Sequence, residues 1–205
     1  QILRESPIAN VRDLLLTDNG FRPDVWQQMV DLGWSGVAVP AEFGGSELGL
    51  AALVPLVESM GRHLLGTPFV ATQLATQILV AGGSAEQQAR WLPKIVAGSA
   101  ATIAFTEDDG DWDLQAVSTT LEGGILKGTK TLVLDASVTE LVAVSLLIDG
   151  RVAVAMVPSA DIPATQITRD VVLDETRRSY TVVLDGVLVA AEQLITGNAA
   201  IAALR

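Results

Sequence analysis

The spacing of apolar residues changes character near Gly98, and no other feature limits the possible folds of this chain so tightly. Before that point apolar side chains recur three and four residues apart. Val25, Trp26, Met29 and Val30 define one helix face, opened by Pro23 in the first turn and stopped at Gly33. Leu53, Leu56, Val57 and Met60 define a second face closed by Gly61, and Phe69 to Ala81 a third helix ending at Gly82-Gly83. Ser84 to Gln87 is a capping box that starts a fourth, with Pro93 expected to interrupt it.

After Gly98 the period is two. The runs expected as strands are Ala101–Thr106, Gln115–Leu121, Ile125–Leu134, Leu141–Ile148, Arg151–Pro158, Gln166–Leu173 and Ser179–Leu184. Glu122-Gly123-Gly124, Asp149-Gly150 and Asp185-Gly186 are turn signals between them. The fold class expected is α+β: an all-α helical domain over residues 1–98, then an antiparallel β-barrel or sandwich over 99–194. Residues 195–205 read as the first turns of a further helix.

Composition excludes several kinds of chemistry. With no Cys and the single His63, thiolate metal sites, disulfide scaffolds and Ser-His catalysis lack their parts. Twenty-four acidic against thirteen basic residues give a net charge of −11, which argues against nucleic acid or an anionic membrane as partner. An anionic cofactor held by backbone amides remains compatible with that charge. No apolar run approaches the roughly 18 residues that span a bilayer, and nothing at the N-terminus has the form of a secretory signal. A soluble, cytoplasmic protein is expected. Aromatic residues make up only 4% of the chain, so the core is expected to rest on Ala, Val, Leu and Ile.

At the joint between the two patterns lies Ala101 to Asp113, ATIAFTEDDGDWD. A short apolar run that ends in Thr-Glu and a polar loop leaves backbone amides free, and such ledges collect ligand-binding residues. Read from the residues alone, Ala104 and Phe105 are core and Thr106-Glu107 a strand-ending turn.

Six segments, taken in order, resemble the acyl-CoA dehydrogenase family of flavoproteins over nearly the whole chain. They are Trp26 to Trp34 with Val39-Pro40 to Gly44-Gly45, Val57 to Pro68, Gly82 to Gly98, Ala104-Phe105-Thr106-Glu107, Leu126 to Lys130, and Asp174 to Arg178 with Val183 to Val187. The resemblance implies FAD as cofactor, an acyl-CoA thioester as substrate and α,β-desaturation as the reaction. It also implies electron-transfer flavoprotein or a similar acceptor, and a homo- or hetero-oligomer. A flavin ring asks for strand-end amides, a hydroxyl and an apolar wall. Ala104, Phe105 and Thr106 are expected to supply these, with Leu132 and Leu134 where the family has a Trp and a Thr flanking the ring. Trp112 stands where the family has a small hydroxyl residue touching cofactor or thioester, and is expected against both.

Asp108, Asp109 and Asp111 bring acids to the place of the family's Pro-x-Ala-Gly-Ser. These departures favour a second reading, a non-catalytic partner subunit with a degenerate flavin site. The family's catalytic base is a Glu on a C-terminal helical domain, so no catalytic residue is expected in this chain. Glu42 reads as a loop residue, Glu58 as a solvated helix face, Glu107 as part of the turn, and His63 as a helix-end hydrogen bonder. Trp26, Trp34 and Trp91 read as core. Arg177 and Arg178 have two open readings, a phosphate of CoA or of a neighbouring subunit's flavin, or a salt bridge flanking a turn. Within the family, the Ala- and Val-rich composition and Asp174–Arg178 point to two-subunit enzymes acting on steroid side chains.

Overall fold

A computed structural model describes residues 8–107, 110, 111, 113, 114 and 116–204. Five helices come first: α1 (Ile8–Leu15), α2 (Pro23–Asp31), α3 (Val54–Arg62), α4 (Phe69–Gly82) and α5 (Ala85–Val96). Pro23 occupies the first turn of α2, and Gly33, at φ 78°, turns the chain out of it. At the start of α5 the Gln87 amide donates to the Ser84 hydroxyl at 3.2 Å, and the Ser84 amide donates to Gln87 Oε1 at 2.9 Å. Pro93 does not interrupt α5, which runs on to Val96. Trp91, Leu92 and Ile95 are buried on one face of that helix, and their packing outweighs the one backbone bond a proline removes.

The strands are β1 (Ala101–Ala104), β2 (Thr120–Glu122), β3 (Ile125–Lys127), β4 (Thr129–Leu134), β5 (Leu141–Ile148), β6 (Arg151–Pro158), β7 (Ile167–Arg169), β8 (Ser179–Val183) and β9 (Leu194–Ile195), followed by α6 (Gly197–Ala203). One sheet has the order β3-β2-β5-β6-β9, with β1 also on β5; the other is β4-β8-β7. The fold is α+β, and the two sheets stay open rather than closing into a barrel. Pairing is not wholly antiparallel either. β1 runs parallel to β5, Ala101 opposite Leu141 and Ala104 opposite Val144, and β2 meets β5 in parallel at Thr120 and Leu147.

Several expected strands are shorter or divided, and the run expected to reach Thr106 stops at Ala104. The run from Ile125 to Leu134 breaks at Gly128, whose φ of 141° lets β3 stay in one sheet while β4 enters the other. From the expected 166–173 strand only β7 pairs, and Val171 and Leu173 are fully exposed. β2 covers only the end of the run expected from Gln115, a residue outside those described.

Strand alternation builds two cores on either side of β5. Val142, Val144 and Leu146 face the second sheet and pack with Leu126, Val133, Tyr180, Val182 and Leu184. Leu141 and Ala143 face the helices and pack with Leu79, Leu92, Ile95 and Met156. A third cluster, Val25, Met29, Leu53, Met60 and Phe69, joins α2, α3 and α4, with Trp26 and Trp34 half-buried against it. α6 packs on α4 and β6. No helix among the described residues is long and apolar enough to cross a membrane.

Candidate functional site

Where β1 ends, the chain leaves the ladder and passes between α4 and β4. Phe105, Thr106, Leu132 and Leu134 there line one cleft of about 100 Å³ together with Thr102, Ile103, Ala71 and Leu74. Four of the six residues expected at a cofactor therefore share one surface, although they come from two separate stretches of chain, the segment that follows β1 and β4. Ala104 does not join them; its side chain is fully buried in the core between the sheets. Trp112 lies outside the described residues, as do Asp108 and Asp109, while Asp111 is exposed.

A bulge in β4 shapes one lip of the cleft. Lys130 faces Val182 and Val133 faces Tyr180, so β4 spends three residues where β8 spends two. Both Lys130 and Val133 are thereby buried. Leu132 absorbs the extra residue at φ 53°, a left-handed conformation that costs a non-glycine residue about 1 kcal/mol. Its side chain is half-exposed at the lip.

Of the two hydroxyls in the cleft, that of Thr102 is used, donating to the Leu134 carbonyl at 2.7 Å. The Thr106 hydroxyl has no hydrogen-bond partner among the described residues. Its backbone is held, with the Thr131 amide donating to the Thr106 carbonyl at 2.9 Å and the Thr131 hydroxyl to the Glu107 carbonyl at 2.8 Å. The cleft thus has an apolar wall and one spare, fixed hydroxyl.

Immediately behind it lies a group the sequence reading treated as a mere turn. Glu107 is buried, and its Oε1 accepts from the Thr119 amide at 2.9 Å, the Thr119 hydroxyl at 2.7 Å and Lys130 Nζ at 2.7 Å. Its Oε2 accepts from the Ser118 amide at 2.7 Å and from the Ser118 hydroxyl. Lys130 is fully buried and also donates to Ser145 Oγ at 3.0 Å. Thr119 is pressed so close to Gly128 that a Cβ there would lie 2.6 Å from its hydroxyl oxygen. Lys130 was legible only as a motif residue. The signal for its burial is an inward strand position beside apolar Val133, which the bulge obscures.

Burial by itself would raise the Glu107 pKa, but bonds from Lys130, Ser118 and Thr119 outweigh it and hold the carboxyl at about 2. The ordinary value is 4.5, so the folded state gains from this group above about pH 4.5 and loses the gain as pH falls from there toward 2. The expected loss is about 3 kcal/mol, at 1.36 kcal/mol per pKa unit. Urea midpoints between pH 6 and pH 2.5 should show it, and a Glu107→Gln/Lys130→Met protein should show a flatter profile over the same range.

Other candidates take structural places. Arg178 is fully buried and spends its guanidinium on backbone carbonyls, so no phosphate can reach it. Arg177 pairs with the buried Asp135 at 3.4 Å. His63 Nδ1 meets the Ser59 carbonyl at 2.8 Å at the end of α3, Glu58 pairs with Arg62 on the exposed face of that helix, and Glu42 is exposed.

A family model for the acyl-CoA dehydrogenase N-terminal domain matches residues 3–99. Acyl-CoA dehydrogenase FadE12 of Mycobacterium tuberculosis is 32% identical over 200 residues, covering 88% of this chain and 50% of that protein. (2S)-methylsuccinyl-CoA dehydrogenase of Cereibacter sphaeroides is 30% identical over 125 residues, 58% of this chain and 23% of that one. Among solved structures, the steroid acyl-CoA dehydrogenase Tcur3481–Tcur3483 superposes with a TM-score of 0.84 at 26% identity, over 100% of this chain and 56% of that chain. The ChsE4–ChsE5 complex of Mycobacterium tuberculosis shares the fold at a TM-score of 0.82 and 24% identity, over 98% and 55% of the respective chains. The chain spans about half the length of these relatives, or less. With the helix-then-sheet order matching throughout, the chain belongs to the acyl-CoA dehydrogenase family.

Proposed function

We propose that this chain forms the helical and β walls of an FAD-dependent site for α,β-desaturation of an acyl-CoA thioester. The proton-abstracting carboxylate would come from a helical segment outside these 205 residues. The observation that carries the reading is the convergence of Phe105, Thr106, Leu132 and Leu134 with Ala71 and Leu74 around one spare hydroxyl. These residues fit the edge and one face of a flat, largely apolar ring whose rim bears hydrogen-bonding groups. Flavin, when bound, accepts the hydride that leaves the β-carbon. The residues of this chain do the holding: Thr106 offers its hydroxyl to the rim, and Phe105, Leu132 and Leu134 keep water from the face. An electron-transfer flavoprotein or similar carrier would take the electrons onward.

The size of the cleft favours a second reading, a partner subunit that completes a site on another chain. About 100 Å³ is well below the roughly 300 Å³ at which small-molecule sites begin, so this surface makes one wall of a site and does not enclose it. Leucines at 132 and 134 also offer less stacking surface and no second hydroxyl. Two of the similar structures carry paired names, Tcur3481–Tcur3483 and ChsE4–ChsE5, in keeping with a two-chain arrangement.

Colour separates the readings. The protein is expected to purify yellow with bound FAD, either alone or only when co-expressed with an adjacently encoded homologue. Colour alone supports the dehydrogenase subunit, colour on co-expression supports the partner, and a colourless product in both preparations would sink the flavin reading.

A further inference from the structure

We propose that Glu107 is a positioning residue: by gathering Ser118, Thr119 and Lys130 onto its carboxylate, it holds the Thr106 hydroxyl in place at the cleft. The inference rests on the reading of that cleft as a flavin site.

Glu107 itself does not line the cleft; the residue before it does. Thr106 lies beyond the last paired residue of β1, so the strand ladder does not fix it. Its position is set by the Thr131 amide on its own carbonyl and by bonds on either side. Ahead of it, the Phe105 carbonyl is approached at 3.5 Å by both Lys130 Nζ and Ser145 Oγ. Behind it, the Glu107 carboxylate takes five donors from Ser118, Thr119 and Lys130. Both flanking anchors include the same buried ammonium, so Lys130 and Glu107, together with the Thr131 bonds, define where residue 106 can sit.

Stability alone is a poor reason for such a device. Two charges taken out of water lose hydration that their attraction only roughly repays, and an apolar pair of the same volume is often as stable. What the apolar pair lacks is direction. Five hydrogen bonds hold the Glu107 carboxylate in one orientation, and a binding hydroxyl on the adjoining residue requires such a defined neighbour.

The inference is tested by a mutant cycle read out as FAD affinity, measured by calorimetric titration of the full protein together with any subunit its colour requires. Thr106→Val removes the hydroxyl. Glu107→Gln/Lys130→Met deletes the ammonium and one of the two acceptor oxygens, which loosens the clamp, and it leaves no buried charge unpaired. Each variant is expected to bind FAD about tenfold more weakly, the worth of one hydrogen bond near 1.4 kcal/mol. The combined variant is expected to be no weaker than either, because the clamp acts through the hydroxyl. Backbone amide exchange at Ser118 and Thr119 should quicken in the clamp variant. Wild-type affinity in the clamp variant, unchanged exchange there, or losses that multiply in the combined variant would each overturn the positioning role. Failure of the wild-type protein to take up FAD in any preparation would instead remove the flavin reading and the inference with it.

Discussion

Replacing Arg178 with Met is expected to destabilise the protein by about 3–5 kcal/mol, as losing several hydrogen bonds from one buried charged donor does. The guanidinium donates to the carbonyls of Leu14 at 2.8 Å, Leu15 at 3.1 Å and Thr17 at 2.7 Å through one nitrogen. The others reach Asp18 at 3.3 Å and Glu175 at 2.5 Å. Leu14 and Leu15 end α1, where a positive charge near the last helix carbonyls is favoured. Arg178 thus caps the first helix from more than 160 residues away and ties it to the second sheet. Gly20 leaves room for it; a Cβ there would stand 2.9 Å from the arginine side chain. Removing the side chain withdraws five hydrogen bonds from these carbonyls at once. For a chain this long the melting temperature should fall by roughly 10 °C, and protease should then cut between Leu15 and Gly20. The neighbouring Arg177→Met is the control. It breaks a single 3.4 Å pair with Asp135, whose carboxyl burial already pushes toward protonation, and about 1 kcal/mol is expected. Equal losses from the two arginines would show that the cap does not carry α1.

That contrast marks where the sequence is legible. The Asp174–Arg178 segment was visible as a motif, yet its two arginines could not be told apart, because what distinguishes them is a partner far away in the chain. Local signals did better. Pro23, the Ser84–Gln87 box and the Asp149-Gly150 turn each act within a few residues, and α2, α5 and the β5–β6 hairpin start or turn where they do. Parallel pairing of β1 with β5 leaves no turn to recognise, so it was read as antiparallel. The cleft falls between these cases. Its residues were found through the family resemblance, whereas the Glu107–Lys130 pair behind it spans 23 residues and a bulge and was missed.

Gly45→Ala is expected to cost about 3–4 kcal/mol and to lower the melting temperature by roughly 10 °C, whereas Gly44→Ala, one residue away, should cost about 1 kcal/mol. The two glycines of the Gly44-Gly45 motif serve different physical ends. Gly44 sits at φ 87° with only the Val96 side chain near, at 3.9 Å, so an alanine there meets strain but no collision. At Gly45 an added Cβ would fall 2.0 Å from the Val39 carbonyl oxygen and 2.5 Å from its carbon, and backbone cannot give way as a side chain can. The loop is folded tightly enough that the Gly45 amide donates to Pro40 at 3.2 Å and the Glu47 amide to that same Val39 carbonyl at 3.0 Å. Val39 is fully buried against Leu92 and Ile95, so moving it opens the core beneath α5. Thermal melts of the two single variants decide the matter. If Gly44→Ala proves as costly as Gly45→Ala, the loop is limited by backbone conformation and not by the contact with Val39.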